Sequence, residues 1–136
     1  LLPARPPILP PVPTVADARA LAEDEDRVVI SHAFEVPEPR YNYATRAGLK
    51  VFETDWVSFI EMPSSRSAEV TERAEREKLI MAVKATGCAE GFSVVRVSAQ
   101  GRRFRMHDAC LWNVTDEEGG LYGQAVLFLR SKVELL

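Results

Sequence analysis

The chain has 136 residues, of which 46% are hydrophobic and 27% are charged. This composition is typical of one globular domain and excludes a chain that is disordered throughout. The net charge of −3 disfavours a protein whose whole surface binds nucleic-acid phosphates. The longest apolar run, residues 125–129, is too short to cross a bilayer.

The first thirteen residues contain six of the nine prolines of the chain. This composition predicts an extended polyproline-type arm that has no hydrophobic core of its own. We expect the arm to lie on a partner protein and to be anchored by its apolar side chains. These side chains are Leu1, Leu2, Ile8, Leu9 and Val12. The sequence is thus divided into an arm over residues 1–13 and a single domain over residues 14–136.

The cellular location is left open by the sequence. The first residue is leucine rather than methionine, which is compatible with a mature organellar protein, for example a mitochondrial one. The alternative is a cytoplasmic protein. Two cysteines are too few for a disulfide framework and do not fix the redox compartment.

The domain begins with a predicted helix and a predicted strand. Thr14 and Asp17 have the spacing of a capping box, and the alanine-rich residues that follow favour a helix over about 15–23. The acids at 23–26 are expected to end this helix, because the macrodipole disfavours negative charge at its C-terminus. Three consecutive β-branched residues then predict a strand over 27–34.

The next region is predicted to contain a loop and a second strand. Residues 41–47 read as loop, whereas residues 49–62 are rich in β-branched and aromatic side chains, with Asp55 as the expected site of a bulge or bend. Exposed aromatic residues here would form a patch suited to protein interfaces. From this patch we assign Tyr41 and Tyr43 as partner-binding residues.

The second half of the chain predicts a long helix followed by a β-meander. The helix covers about 68–86, with the serines at 64–67 as N-cap candidates and Gly87 as its terminator. Turn signals then divide a region of period two into strands at 92–98, 102–107, 110–115 and 121–130. The predicted fold is therefore α+β, with one long helix packed on a largely antiparallel sheet of four to six strands.

A row of arginines is the candidate nucleic-acid site. Alternation along the strand places Arg103 and Arg105 on the face opposite Phe104. An exposed basic row binds phosphates or an acidic partner. The complete set for this alternative is Arg96, Arg102, Arg103 and Arg105. The other interpretation is a solvated face on which these guanidinium groups meet acids of the same chain.

No motif in the sequence predicts catalysis or metal binding. There is no nucleophile elbow, phosphate-binding glycine loop or H-E-x-x-H. His107 and Cys110 form only one close donor pair, whereas structural zinc sites usually have two. We therefore predict no metal, no cofactor and no catalytic residue, and we expect Cys110 to be a buried core thiol.

Three functions follow from these features. The leading hypothesis is a non-enzymatic accessory or structural subunit of a larger protein assembly, held by its proline-rich arm. The alternative is a nucleic-acid-associated protein that uses the arginine row. The third is a small-ligand-binding or enzymatic curved-sheet domain with a pocket between helix and sheet near Cys110 and Trp112.

Overall fold

A computed structural model describes residues 9, 14–34, 39–60, 62–68 and 72–136 of the chain. Within these residues the helices are α1 (Val15–Ala22), α2 (Arg46–Val51), α3 (Trp56–Phe59) and α4 (Arg73–Thr86). The strands are β1 (Arg27–Ala33), β2 (Arg40–Ala44), β3 (Cys88–Val97), β4 (Arg103–Thr115), β5 (Leu121–Leu129) and β6 (Glu134–Leu135). None of the helices in these ranges is long and apolar enough to span a membrane.

The strands of the described residues form one antiparallel sheet. Its order is β2-β1-β5-β4-β3, and β6 pairs with the start of β4. Helix α2 contacts β1 and β2, and α4 contacts β3 and β4, so the core lies between the helices and one face of the sheet. The predicted α+β class with a largely antiparallel sheet is confirmed.

Aromatic rings fill the space between the helices and the sheet. Tyr41 of β2 stacks on Phe59 of α3 with ring centroids 4.4 Å apart. Phe52, just after α2, meets Phe104 of β4 edge-on at 5.3 Å. All four side chains are buried, and such ring pairs contribute about 0.5–1.5 kcal/mol beyond their buried area. These pairs hold the α2–α3 region against the sheet.

Helix α1 forms as the sequence predicts. The Thr14 hydroxyl accepts a hydrogen bond from the amide of Asp17 at 3.1 Å, and the Asp17 carboxylate accepts one from the amide of Thr14 at 2.8 Å. This reciprocal pair is a capping box. The predicted strand over 27–34 is likewise present as β1.

Residues 40–60 differ from the prediction. The expected loop over 41–47 contains β2 and the start of α2, and the expected strand over 49–62 is replaced by α2 and α3. Two N-caps explain the difference. Thr45 Oγ1 accepts from the amide of Gly48 at 3.3 Å, and Asp55 Oδ1 accepts from the amide of Ser58 at 2.7 Å. Asp55 therefore begins a helix rather than bending a strand.

Thr45 also attaches α2 to the sheet. Its side chain is completely buried. The hydroxyl donates to the carbonyl of Arg27 at 2.8 Å and accepts from the amide of Val29 at 3.2 Å. One hydroxyl thus satisfies polar groups of both β1 and α2, which fixes the position of the helix over the inner face.

Helix α4 is shorter than predicted and is one helix among several. It begins at Arg73 rather than near 68, and no side chain caps its N-terminus. The serines expected to cap it lie in a 3₁₀ turn, Ser64–Ser67. Gly87 ends α4 with a φ of 100°, as predicted. The expectation of one long helix is not confirmed, because α1, α2 and α3 are also present in the described residues.

Strand β4 is continuous where two strands were predicted. Asp108 has a φ of 52°, and β4 has one extra residue relative to β3 between Met106 and Ala109. This is a β-bulge. Because side chains alternate along a strand, one extra residue reverses the faces of all later side chains. Met106 lies on the inner face before the bulge, and Leu111 lies on it afterwards.

A set of contacts around Asp26 joins the start of β1 to the end of β5. The carbonyl of Asp26 accepts from the amide of Arg130 at 2.7 Å, and its carboxylate accepts from the amide of Ser131 at 2.7 Å. The neighbouring carbonyl of Glu25 accepts from the Arg130 guanidinium at 3.3 Å. We call this set the Asp26 clasp. It adds to the antiparallel pairing of β1 with β5.

Candidate functional site

A cavity of about 60 Å³ lies between α4 and the inner face of the sheet. Its apolar walls come from the sheet and from α4. Representative side chains of these walls are Ile30, Val94, Met106, Val126, Leu79 and Ile80. The polar lining falls into two groups, one around Arg76 and one around Gln124. A mostly apolar pocket with a few convergent polar groups is the usual form of a small-molecule site.

The first polar group consists of Tyr41, Ser64, Ser67 and Arg76, and we call it the arginine–hydroxyl cluster. The Arg76 guanidinium donates to the Ser64 hydroxyl, and the Tyr41 and Ser67 hydroxyls lie 2.7 Å apart. Arg76 is only 6% exposed. Its partner Glu77, 2.8 Å away, has a side chain that is 61% exposed, so this ion pair reaches the solvent rather than the cavity interior.

Arg96 brings a second guanidinium to the same cavity. It lies opposite Phe104 in the β3–β4 register, which places it on the inner face of the sheet. Burial lowers the pKa of Arg96, and the positive charge of Arg76 also lowers it. The described residues that line the cavity include no aspartate or glutamate. Two positive charges therefore share a cavity whose described lining contains no acid.

The second polar group is the pair Gln124 and His32, which are directly opposite each other across β5 and β1. Gln124 is fully buried. Its amide nitrogen donates to the carbonyl of Ile80 at 3.0 Å and to Oδ1 of Asn113 at 3.2 Å, which uses both amide hydrogens. Within the described residues, neither Oε1 of Gln124 nor Nδ1 of His32 has a hydrogen-bond partner.

The two unsatisfied atoms are unusual for buried polar groups. Buried polar atoms nearly always have a partner, and leaving one without a partner costs about 1–3 kcal/mol. His32 and Gln124 are both at least nine-tenths buried, and both line the cavity. A molecule in the cavity that hydrogen bonds to this pair would remove both penalties.

His32 is neutral at neutral pH. Burial, with the positive charge of Arg76 in addition, lowers the pKa of His32 from 6.5 to about 4, although the Ala33 backbone opposes the shift. One ring nitrogen of a neutral histidine donates and the other accepts. The positive charge of the cavity therefore comes from Arg76 and Arg96 alone among its described lining residues.

The predicted arginine row is divided between two faces. Arg96 faces the cavity, Arg103 and Arg105 lie on the outer face, and exposed Arg102 lies 3.5 Å from Glu53. Arg105 forms an ion pair with Glu134 at 3.1 Å. The structure therefore does not bring the four arginines together on one face, and nucleic-acid binding by this row stays a prediction.

The predicted partner-binding residues have different surroundings. Tyr41 is only 6% exposed and belongs to the arginine–hydroxyl cluster, so it does not lie in an exposed aromatic patch, and partner binding by Tyr41 and Tyr43 stays a prediction. Tyr43 is half-buried, with its ring edge-on to Trp56 at 6.3 Å. Leu9 is half-buried. The other predicted anchors lie outside the described residues: Leu1, Leu2, Ile8 and Val12.

The pocket predicted between helix and sheet is present, but not at Cys110 and Trp112. Leu111, between them, lines the cavity instead, because the bulge at Asp108 reverses the faces of β4. Cys110 is buried, as expected for a core thiol. Within the described residues, no group of three or more His, Cys, Asp or Glu side chains is placed to hold a metal ion.

Sequence reasoning missed the residues that define the polar lining. The sequence indicates Ser64 only as a helix-cap candidate. It does not indicate Gln124 or the pairing of His32 with Gln124, because the two residues meet only through the register of β1 with β5. A usable signal was present at Gln124, which is a polar residue in the apolar strand LYGQAVLFL.

The strand order, with helices on one face, defines a PAS-like fold. The PAS domain of a Colwellia psychrerythraea protein matches with a TM-score of 0.68 and 12% identity, over 82% of this chain and 91% of that one. A Rhodobacter sphaeroides LOV protein matches with a TM-score of 0.64 and 15% identity, over 82% of this chain and 63% of that one. An RNA-binding light-oxygen-voltage receptor matches with a TM-score of 0.71 and 13% identity, over 95% of this chain and 37% of that one. The chain thus spans less than two thirds of the last two.

The family is established from the sequence. The family model of the MEKHLA domain matches residues 10–133, so this chain belongs to the MEKHLA-domain family. Comparison with curated proteins found no match. The family and the PAS-like fold overturn the hypothesis of an accessory or structural subunit held by a proline-rich arm. That hypothesis relied on the arm, which apart from Leu9 lies outside the described residues. The third interpretation, a small-ligand-binding curved-sheet domain, fits better.

Proposed function

We propose that this chain is a sensory domain that binds a small ligand in the cavity between α4 and the sheet. Membership in the MEKHLA-domain family and the PAS-like fold support this proposal. Solved structures of similar fold include a light-oxygen-voltage receptor and a light-oxygen-voltage domain studied with a flavin analogue. Signal reception and ligand binding thus occur on this fold.

The observation that carries the proposal is the pair of unsatisfied atoms on Gln124 and His32. A cavity that results only from imperfect packing is lined by apolar groups, which need no hydrogen-bond partner. Here the two residues that carry unsatisfied polar atoms lie on adjacent strands and line the same cavity as Arg76. This arrangement keeps hydrogen-bonding capacity available to a bound molecule.

The cavity does not fit a flavin. Its volume is about 60 Å³, whereas a cavity of about 150 Å³ is the size that accepts a single benzene ring. A flavin has three fused rings, so it would have to displace the walls. The proposed ligand of this chain is therefore smaller than a flavin.

Blocking the cavity tests the proposal. Val94 lines it, whereas the adjacent Val95 of β3 does not, and both residues are half-buried. Val94→Phe places a ring in the cavity, and Val95→Phe is the matched control on the opposite face. The wild type and both variants are screened by thermal shift against a library of small organic acids, alcohols, amides and amines.

We expect compounds that raise the melting temperature of the wild type and of Val95→Phe but not of Val94→Phe. For each such compound, hydrogen exchange should slow in α4, β1 and β5, since these elements carry the polar lining. A compound that stabilises Val94→Phe as well as the wild type binds elsewhere. A screen without any stabilising compound would contradict the proposed function.

A further inference from the structure

Building on the proposed ligand-binding function, we infer that the ligand is a short hydroxycarboxylate of about the size of glycolate or lactate. Its carboxylate would lie against Arg76 and Arg96, and its hydroxyl would donate to Oε1 of Gln124. Three features of the cavity lead to this chemistry: its charge, its unsatisfied polar atoms and its volume.

The charge of the cavity selects an anion. Arg76 and Arg96 both line it, and no described lining residue is acidic. Each guanidinium has only partial compensation, since Arg76 contacts the exposed Glu77, and Arg96 donates to its neighbouring Val95 carbonyl and has Glu72 as its nearby acid. A buried charge without full compensation is costly. A carboxylate matches the planar fork of a guanidinium better than other anions of this size.

The unsatisfied atoms select a hydroxyl. Both amide hydrogens of Gln124 are already donated, to Ile80 and Asn113, so its orientation is fixed and Oε1 can only accept. A carboxylate has no hydrogen to give, whereas a hydroxyl supplies one. The same hydroxyl oxygen can accept from Nδ1 of His32 in the tautomer that carries a proton there. One hydroxyl therefore satisfies both atoms.

The volume of the cavity limits the size of the ligand. Arg76 and Ile80 lie one turn apart on α4, and Gln124 is bonded to the carbonyl of Ile80, so both polar groups lie along the same part of α4. A water-sized group needs roughly 10–15 Å³, so about 60 Å³ holds roughly four to six such groups. Glycolate and lactate are of this size, and the wall residues Val94 and Met106 suit their short carbon chains.

A ligand series on the wild-type protein provides the first test. Dissociation constants are measured by isothermal titration calorimetry in a phosphate-free buffer for lactate, glycolate, lactamide and propionate. Lactamide keeps the hydroxyl but has no charge, and propionate keeps the charge but has no hydroxyl. We expect lactate or glycolate to bind at least about tenfold more tightly than either analogue, as the loss of a buried hydrogen-bonding or charged partner implies.

Two variants test which residues cause the preference for lactate over lactamide and over propionate. Arg96→Gln should reduce the preference for lactate over lactamide by at least about threefold, because one of the two charges that favour the acid is gone. Gln124→Met should reduce the preference for lactate over propionate in the same way. Arg103→Gln, on the exposed outer face, is the control and should leave both ratios unchanged. Thermal melts establish that each variant is folded, and the wild-type series stands without them.

The outcomes separate this inference from the proposed function. Equal affinity for lactate and lactamide, or for lactate and propionate, overturns the hydroxycarboxylate while leaving a ligand-binding domain. So does stabilisation of equal size by phosphate or chloride, which would mean a general anion site. If no hydroxy acid binds but another compound of the library does so in the Val94-dependent manner, the ligand class is wrong and the sensory function stands. If nothing binds, both are wrong.

Discussion

Acidification should destabilise the fold through His32. The folded chain holds the pKa of this residue at about 4, whereas its ordinary value is 6.5. Between these two values the unfolded chain binds a proton that the folded chain does not. The free energy of unfolding therefore has its full His32 contribution above pH 6.5 and loses it as the pH falls through the folded pKa of about 4.

The size of the effect follows from the shift. One pKa unit corresponds to about 1.4 kcal/mol, so a shift from 6.5 to about 4 corresponds to a full loss of about 3 kcal/mol. From pH 7 to pH 5 the expected loss is about 2 kcal/mol. The carboxylates with lowered pKa values, such as Asp24 and Glu134, have ordinary values of 4.5 or below, so they contribute little in this window.

Urea denaturation followed by circular dichroism at several pH values between 7 and 5 measures this loss. The chain contains only one other histidine, His107, whose side chain is 40% exposed. His107→Gln should keep the loss of about 2 kcal/mol, whereas His32→Gln should remove most of it, whatever its stability at pH 7. An unchanged pH dependence in His32→Gln would refute the assignment of a buried, neutral His32.

Two further pairs of substitutions test the packing of the sheet and of α2. Gly123→Ala should cost at least about 3 kcal/mol of unfolding free energy, because the new Cβ would lie 2.0 Å from the carbonyl oxygen of His32. Its control, Gly101→Ala, has no atom within 4 Å of the new Cβ but a φ of 82°, and should cost only about 1–2 kcal/mol. Thr45→Val should cost about 2 kcal/mol in urea denaturation, because its hydroxyl bonds to β1 and α2 are lost, whereas exposed Thr115→Val should change stability by less than about 0.5 kcal/mol. Equal losses within either pair would contradict the packing described above.

The elements that sequence reasoning predicted well are those with local signals. The capping box at Thr14, the three β-branched residues of β1 and the terminating Gly87 are read from a few adjacent residues. The α+β class followed from the order of such signals. The region 40–60 failed because its aromatic residues suit strands and buried helices equally. Its helices depend on packing of Phe52 and Phe59 against the sheet, which is a tertiary effect.

The cavity itself was predictable only as a general location. A helix packed over a curved sheet leaves space between the two layers, and this much was expected. The lining could not be read from sequence, since it depends on one bulged residue at Asp108 and on a register that pairs His32 with Gln124. A one-residue shift of β1 against β5 would turn His32 to the opposite face and separate it from Gln124.

The Asp26 clasp joins β1 and β5, the two strands that carry His32 and Gln124, at one end of both strands. Because these hydrogen bonds add to the β1–β5 ladder, they oppose sliding of one strand past the other. On each strand this end lies six residues from His32 or Gln124, or roughly 20 Å at the rise of a β-strand. A ligand that displaced His32 or Gln124 would therefore be expected to displace both strands together at this end.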